Sequence, residues 1–214
     1  MVGTAPNVFA VIKLTVGQLQ SNCFILYNTR NRDAIIIDPG DDGEYISDKL
    51  QTFELVPRAI LLTHGHFDHL QAALTLQLAY NIPCYLNKKD YFFLKDMRST
   101  ALHYTKVDPG PPPQVLPLAD SGICNILDFT IKIMPVPGHT PGSLAFYIPG
   151  ADCVFVGDLV FSDGTTGEWR HKYGDRKVLH KSINTLLQLP EQTIVYTGHG
   201  EDSSILELMT YFGD

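Results

Sequence analysis

The sequence predicts an α/β protein built from two sheets packed face to face, with helices on the outside. Three observations predict it. Short apolar runs of strand length alternate with longer stretches that carry an apolar stripe at helical spacing. The elements run strands, helices, strands, helices, with a weak two-half symmetry. Metal-capable side chains recur just after the apolar runs, as they do where ligands gather at the strand ends of layered α/β folds.

In order, residues 8–14 and 23–27 read as strands joined by a turn region at Gly17, Ser21 and Asn22. Residues 34–37 form a buried third strand ending in Asp38-Pro39-Gly40, a turn-forming trio. Asp38 reads either as a turn carboxylate or as a support for metal ligands nearby. Over 43–53, Tyr45, Ile46, Leu50 and Phe53 make a helical stripe, which Pro57 separates from a strand at 59–62. Residues 70–80 read as a helix with Leu70, Ala73, Leu74 and Leu78 on one face, ended by Asn81-Ile82-Pro83. A strand at 84–86 and a helix at 88–97 follow. The run Tyr91, Phe92, Phe93, Leu94 reads as core, with a lid over the site as the other reading. Between Arg98 and Leu118, the stiff Asp108-Pro109-Gly110-Pro111-Pro112-Pro113 reads as a surface loop bordering the site. Strands at 123–127, 129–134, 143–148 and 153–156 follow. A helix at 175–189, a strand at 193–196 and a helix at 205–211 close the chain.

A chain of 214 residues supports one substantial core, and one domain is expected across 1–214. The net charge of −7 argues against nucleic acid as a main partner, because phosphate recognition calls for clustered Lys and Arg. No basic segment precedes an apolar run at the N-terminus, and residues 8–16 are too few to span a membrane, so neither membrane nor secretion is expected. Cys23, Cys84, Cys124 and Cys153 are widely spaced, which fits reduced thiols in a cytoplasmic protein. The expected partner is a small molecule. Oligomeric state is not legible.

The densest chemistry lies in Thr63-His64-Gly65-His66-Phe67-Asp68-His69, three histidines and a carboxylate that no fold needs for packing. Imidazole and carboxylate are the donors that suit zinc, iron and manganese. His64 and His66, two apart, point the same way in an extended segment. His139, Asp158 and His199 repeat the context, each following a glycine after a strand. Glycine allows the close backbone approach that lets several strand ends converge. His103, His171 and His180 lie outside these motifs and read as surface residues, with His171 the best placed to reach a substrate. No G-x-S-x-G nucleophile elbow is present.

Together, T-H-x-H-x-D-H, P-G-H-T-P-G-S, V-G-D and G-H-G resemble the metallo-β-lactamase-fold hydrolases. More narrowly, they are similar to the single-domain, glyoxalase II-like (hydroxyacylglutathione hydrolase-like) branch, over nearly the whole chain from Gln18 to Gly200. The resemblance implies a four-layer αβ/βα sandwich with two divalent metals at one edge, zinc first and iron or manganese as alternatives. It implies that His64, His66 and His139 hold one metal, that Asp68, His69 and His199 hold the other, and that Asp158 bridges them. A hydroxide between the metals would then attack the carbonyl of a thioester or related ester, with Asp68 helping to orient it. The resemblance leaves two alternatives: a one-metal iron persulfide dioxygenase using His64, His139 and Asp158, and a lactone or phosphodiester hydrolase. A non-catalytic scaffold is disfavoured, because burying a histidine cluster is costly.

The chain also departs from the family. Glyoxalase II has a C-terminal helical extension that helps hold glutathione, and too little chain follows His199 to form it. Glu168 stands where the family has a basic glutathione contact. Arg170 and Lys172 are the expected substitutes, and Trp169 is either a core plug or a wall of the substrate pocket.

Overall fold

The computed structural model describes residues 8–213, so both ends of the expected 1–214 domain lie outside the described residues. The first sheet holds β1 (Phe9–Val16), β2 (Ser21–Asn28), β3 (Asp33–Ile37), β4 (Val56–Leu61), β5 (Cys84–Asn87) and β6 (Val115–Leu118) in sequence order. It starts as antiparallel hairpins and turns parallel from β3 onward. The second sheet holds β7 (Gly122–Ile126), β8 (Phe129–Pro135), β9 (Leu144–Ile148), β10 (Cys153–Gly157), β11 (Ile194–Thr197) and β12 (Ser203–Ser204), again in order. Its β7 to β10 are antiparallel, and β10 and β11 are parallel. Helices α1 (Gly43–Thr52), α2 (Ala73–Tyr80) and α3 (Tyr91–Thr105) cover one sheet; α4 (Arg176–Leu186) and α5 (Ile205–Phe212) cover the other. The result is the four-layer αβ/βα sandwich.

The strands read as near-continuous apolar runs because both faces are buried. In β2, Phe24 and Leu26 enter the layer between the sheets, while Cys23 and Ile25 join the layer under α1 to α3. In β3, Ile35 and Ile37 alternate with Ala34 and Ile36 in the same way. The second sheet sends Phe146 and Phe155 inward, and packs Ala145, Val154 and Val156 against Leu179, Ile183 and Leu208. Phe24 and Phe155 meet across the middle layer with ring centroids 5.2 Å apart. Truncating Phe155 to Ala is expected to cost about 3–5 kcal/mol, read as a lower denaturant midpoint at unchanged slope.

Three expectations are corrected. The helix expected at 88–97 continues to Thr105, because Met97, Ala101 and Thr105 form a buried stripe at i, i+4 and i+8. Lys106, at φ 62°, ends it. Residues 115–118, to which the sequence reading assigns no element, form strand β6, paired parallel with β5. Pro117 is tolerated there because β6 is the sheet's edge. The helix expected from residue 70 instead begins at Ala73 after a 3-10 turn at Phe67–His69, and buries Ala73 and Leu76. Leu78, expected on the apolar face, is 73% exposed. Among the described residues, no helix is long and apolar enough to cross a membrane.

Candidate metal centre

Parallel pairing sets the site. Because β3 lies parallel to β4 and β10 parallel to β11, the C-terminal ends of each pair emerge side by side at one edge of the sandwich. Asp38 follows β3, the His64–His69 segment follows β4, Asp158 follows β10 and His199 follows β11. His139 arrives from the β8–β9 connection. Two glycines make this convergence possible. Gly157 sits at φ +54°, and a Cβ on it would collide with the Thr63 hydroxyl. A Cβ on Gly198 would fall on an oxygen of Asp158.

The seven residues form two groups. One donor atom each from His64, His66, His139 and Asp158 lie within 4.8 Å of one another, and so do donors from Asp68, His69 and His199. Asp158 stands between them. Its Oδ1 is 3.3 Å from His69 Nε2, and its Oδ2 is 3.6 Å from His139 Nε2 and 3.7 Å from His199 Nε2. His66 Nδ1 faces His139 Nε2 at 2.9 Å. His64 Nε2, His69 Nε2 and Asp158 Oδ1 are buried without a hydrogen-bond partner among the described residues. Buried polar atoms left unpaired are costly, and cations held at the two groups would satisfy all three.

The remaining ring nitrogens are all held. His69 Nδ1–H donates to Asp38 Oδ2 at 3.1 Å, His139 Nδ1–H to the Glu168 carbonyl at 2.8 Å, and His199 Nδ1–H to the Leu19 carbonyl at 3.2 Å. His64 Nδ1 lies 3.0 Å from the Thr63 hydroxyl, and His66 Nε2 lies 3.0 Å from the Tyr173 hydroxyl. Fixing one nitrogen aims the other, which is how metal-binding histidines are oriented. Asp38 has the supporting role: it also accepts from Thr63 N at 2.7 Å and from the Thr63 hydroxyl at 2.6 Å. Asp38→Ala is therefore expected to weaken metal binding about 10–100-fold, measured by chelator competition.

The electrostatics suit a cation. Burial, followed by the neighbouring histidines His69 and His66, holds His64 well below its ordinary range, and burial with His139 lowers His66 to about 3. Both rings are thus in the neutral form that binds metal. Burial works against the charge on Asp158 and Asp68, but the surrounding histidines together keep both carboxylates low, His69 with His139 and His64 for Asp158 and His69 with His199 for Asp68. His69 and His199 go the other way. Burial opposes their charge, yet Asp158 and Asp68 raise both, so two protons occupy positions that a cation would take over.

Two supports were not legible in the sequence. Asp90, fully buried at the start of α3, accepts from Gly65 N at 3.0 Å, Gly142 N at 2.7 Å and the Thr140 hydroxyl at 2.7 Å. It ties the His64–His66 loop to the His139 loop. Ser21, bridged to His199, donates its hydroxyl to Asp68 Oδ2 at 3.1 Å. A buried aspartate at a helix start looks like an ordinary N-terminal charge, so Asp90 gives no signal of its own.

A cleft of about 360 Å³ opens beside the cluster, with His66 and Asp68 in its wall and Phe93, Tyr104, His171 and Tyr173 around them. The aromatic run is therefore divided: Tyr91 and Leu94 pack on the core, and Phe93 faces the cleft. The 108–113 segment, expected as a loop bordering the site, does not line this cleft, whereas Thr100 and Tyr104 of α3 do. The structure does not bring Trp169, Arg170 or Lys172 into this cleft. Trp169 packs on the core under the second sheet, with the Arg170 and Arg176 guanidinium groups 5.0 and 5.6 Å from its ring. Trp169 and Arg170 line a separate groove, and Lys172 is exposed. Glu168 contributes through its carbonyl, while its carboxylate accepts from Arg170 N at 2.7 Å. Burial pushes the Cys84 and Cys153 thiols up to about 12, away from the reactive thiolate form.

Known proteins resemble the chain in sequence and fold. The chain is 31% identical over 196 residues to hydroxyacylglutathione hydrolase GloC of Haemophilus influenzae, covering 90% of this chain and 91% of that one. It superposes on the BLEG-1 B3 metallo-β-lactamase at TM-score 0.87 and 33% identity, over 96% of this chain and 100% of the other. It superposes on TTHA1623 in a di-iron-bound form at TM-score 0.83 and 35% identity, over 93% and 96%. The metallo-β-lactamase superfamily model matches residues 16–199, a span that runs from the end of β1 to the last histidine of the cluster. By that match and by the sandwich that carries the cluster, the chain belongs to the metallo-β-lactamase superfamily of metal-dependent hydrolases.

Proposed function

We propose that this chain hydrolyses a small-molecule thioester, or a related ester, at two divalent metal ions. The observation that carries the reading is Asp158, whose carboxylate faces histidines of both groups, His139 of one and His69 and His199 of the other. A carboxylate so placed is suited to a pair of cations; a one-metal dioxygenase would leave Asp68, His69 and His199 without a task. His64, His66 and His139 would hold one ion, Asp68, His69 and His199 the other, and Asp158 both. Zinc fits this donor set, as do iron and manganese, and TTHA1623 is a relative in a di-iron-bound form. Bound there, the ions supply water ionised near neutral pH and a Lewis acid for the acyl oxygen.

The chain's own residues do the rest. Asp38, Thr63, Tyr173 and the carbonyls of Glu168 and Leu19 fix the ring orientations. Asp68, steadied by Ser21, stands in the cleft wall, where it can accept a hydrogen bond from the attacking water. Water adds to the acyl carbon, the carbon–sulfur bond breaks, and the products are a carboxylic acid and a thiol. A thiolate leaves with little protonation, so no dedicated general acid is needed.

Likeness to GloC supports the thioester, and likeness to BLEG-1 makes a β-lactam the arm to compare. Elemental analysis and thiol release from a thioester panel, run beside nitrocefin, test the reading. Two ions per chain and chelator-sensitive thiol release are expected. Fewer than two ions with no thiol release would sink it, and faster turnover of nitrocefin would replace the thioester with a lactam.

A further inference from the structure

We infer that the cleft beside the metal cluster takes an uncharged apolar arm of the substrate, aromatic or branched aliphatic, rather than a peptide-like anion such as glutathione. The inference rests on the acyl-hydrolase reading above and names the substrate class for it.

The cleft is continuous with the cluster. Its wall includes His66 from one group of donors and Asp68 from the other, so a molecule lying in it presents one end to both. The rest of the wall is ring and hydrocarbon. Phe93 and Tyr173 meet edge to face at 4.9 Å and 85°. His171 stacks on Tyr173 at 5.1 Å and 21°, and Phe67 stacks on Tyr104 at 5.8 Å and 15°. Tyr104 is 63% exposed, an aromatic ring held at the rim against water. Planar rings with few rotatable bonds make such a surface favourable for an apolar or aromatic guest at low entropic cost. The volume of about 360 Å³ suits a small molecule.

Charge points the same way. Among the described residues, no Lys or Arg lines the cleft. Two nearby cations are committed elsewhere: Arg98 on α3 pairs with Asp108, and Arg170 turns to Glu168 and the Trp169 ring in the separate groove. Glutathione carries two carboxylates. Drawing them into this cleft would strip their water and offer no cation of the chain in return. Neither Arg170 nor Lys172 is among the residues that line the cleft. An acyl thioester with an apolar arm meets none of these costs.

The test separates binding from turnover. Calorimetry on the metal-loaded protein compares two non-hydrolysable thioethers, S-phenethyl-N-acetylcysteamine and S-methylglutathione. The phenethyl compound is expected to bind at least about tenfold more tightly. Phe93→Ala is expected to remove about tenfold of that affinity while leaving S-methylglutathione unchanged. Thr100→Arg, which places a cation in the wall without opening the core, is expected to shift preference toward S-methylglutathione. Tighter binding of S-methylglutathione by the unaltered protein overturns the inference. In turnover, S-phenylacetyl-N-acetylcysteamine should exceed S-lactoylglutathione in kcat/KM, and the reverse order overturns it. Preferential binding of the phenethyl thioether with no hydrolysis of either thioester supports the cleft assignment and sinks the acyl-hydrolase reading instead.

Discussion

Asp158→Ala is expected to reduce the metal content below two ions per chain and to lower kcat/KM by more than about 100-fold. That bound follows from the 10–100-fold that losing a mere supporting group costs, since Asp158 is itself a donor to both groups. It faces His139 of one group and His69 and His199 of the other, so its removal separates two half-sites rather than trimming one. His69 adds a second effect. In the protein without metal, Asp158 is the largest influence raising His69 against its burial, and without that carboxylate a charged His69 loses its main partner. Asp158→Asn separates shape from charge. It keeps the volume but presents a donor where a cation needs an acceptor, so it should behave more like Ala than like the unaltered chain. Metal content read by mass spectrometry, beside thiol release, decides the matter. Two retained ions with activity within tenfold would falsify the bridging role.

Such a prediction is available because the donors themselves are legible. Histidine and aspartate at strand ends have no packing value, so their spacing in 64–69 and their recurrence at 139, 158 and 199 stand out from the apolar pattern. The strands are legible for a related reason. Burial on both faces makes Cys23–Leu26, Ala34–Ile37 and Ala59–Leu62 unbroken apolar runs. What stays hidden acts through the backbone or across the fold. Glu168 serves by a carbonyl, which every residue carries, so its identity says nothing about its contact with His139. Tyr173 and Phe93 reach His66 from elements far apart in sequence, and no local pattern pairs them. β6 is obscured by its own Pro117, and α3 by the aromatic run at its start, which draws the eye from the Met97–Ala101–Thr105 stripe behind it. The substrate wall is built mainly from these hidden parts. That is why the chemistry can be read from the chain before the specificity.

Asp90 is the hidden part with the largest expected effect on stability. Its two oxygens take three buried donors: Gly65 N and the Thr140 hydroxyl on Oδ2, Gly142 N on Oδ1. Burial raises this carboxyl above its ordinary value, and the bonds from Thr140, Gly142 and Gly65 offset part of that. Asp90→Ala strands the two amides, while the Thr140 hydroxyl can still turn to Ser143 Oγ at 2.7 Å. The expected loss is about 3–5 kcal/mol, the range for breaking a buried charged network by removing one partner. For a chain of this size that lowers the melting temperature by roughly 10 °C. Asp90→Asn should fall between. With its oxygen at the Oδ2 position it keeps Gly65 and Thr140, but sets its amide against the Gly142 N–H. The functional consequence should be lopsided. Gly65 lies between His64 and His66, and Thr140 and Gly142 follow His139, so the loosened loops carry one group of donors. The first ion's affinity should fall about 10–100-fold, as for other lost supports, while the ion held by Asp68, His69 and His199 is spared. Stepwise chelator titration of the Asn variant, which is the more certain to fold, reads the two affinities separately. Equal weakening of both, or a melting temperature unmoved by Asp90→Ala, would show that the clamp between the two loops lies elsewhere.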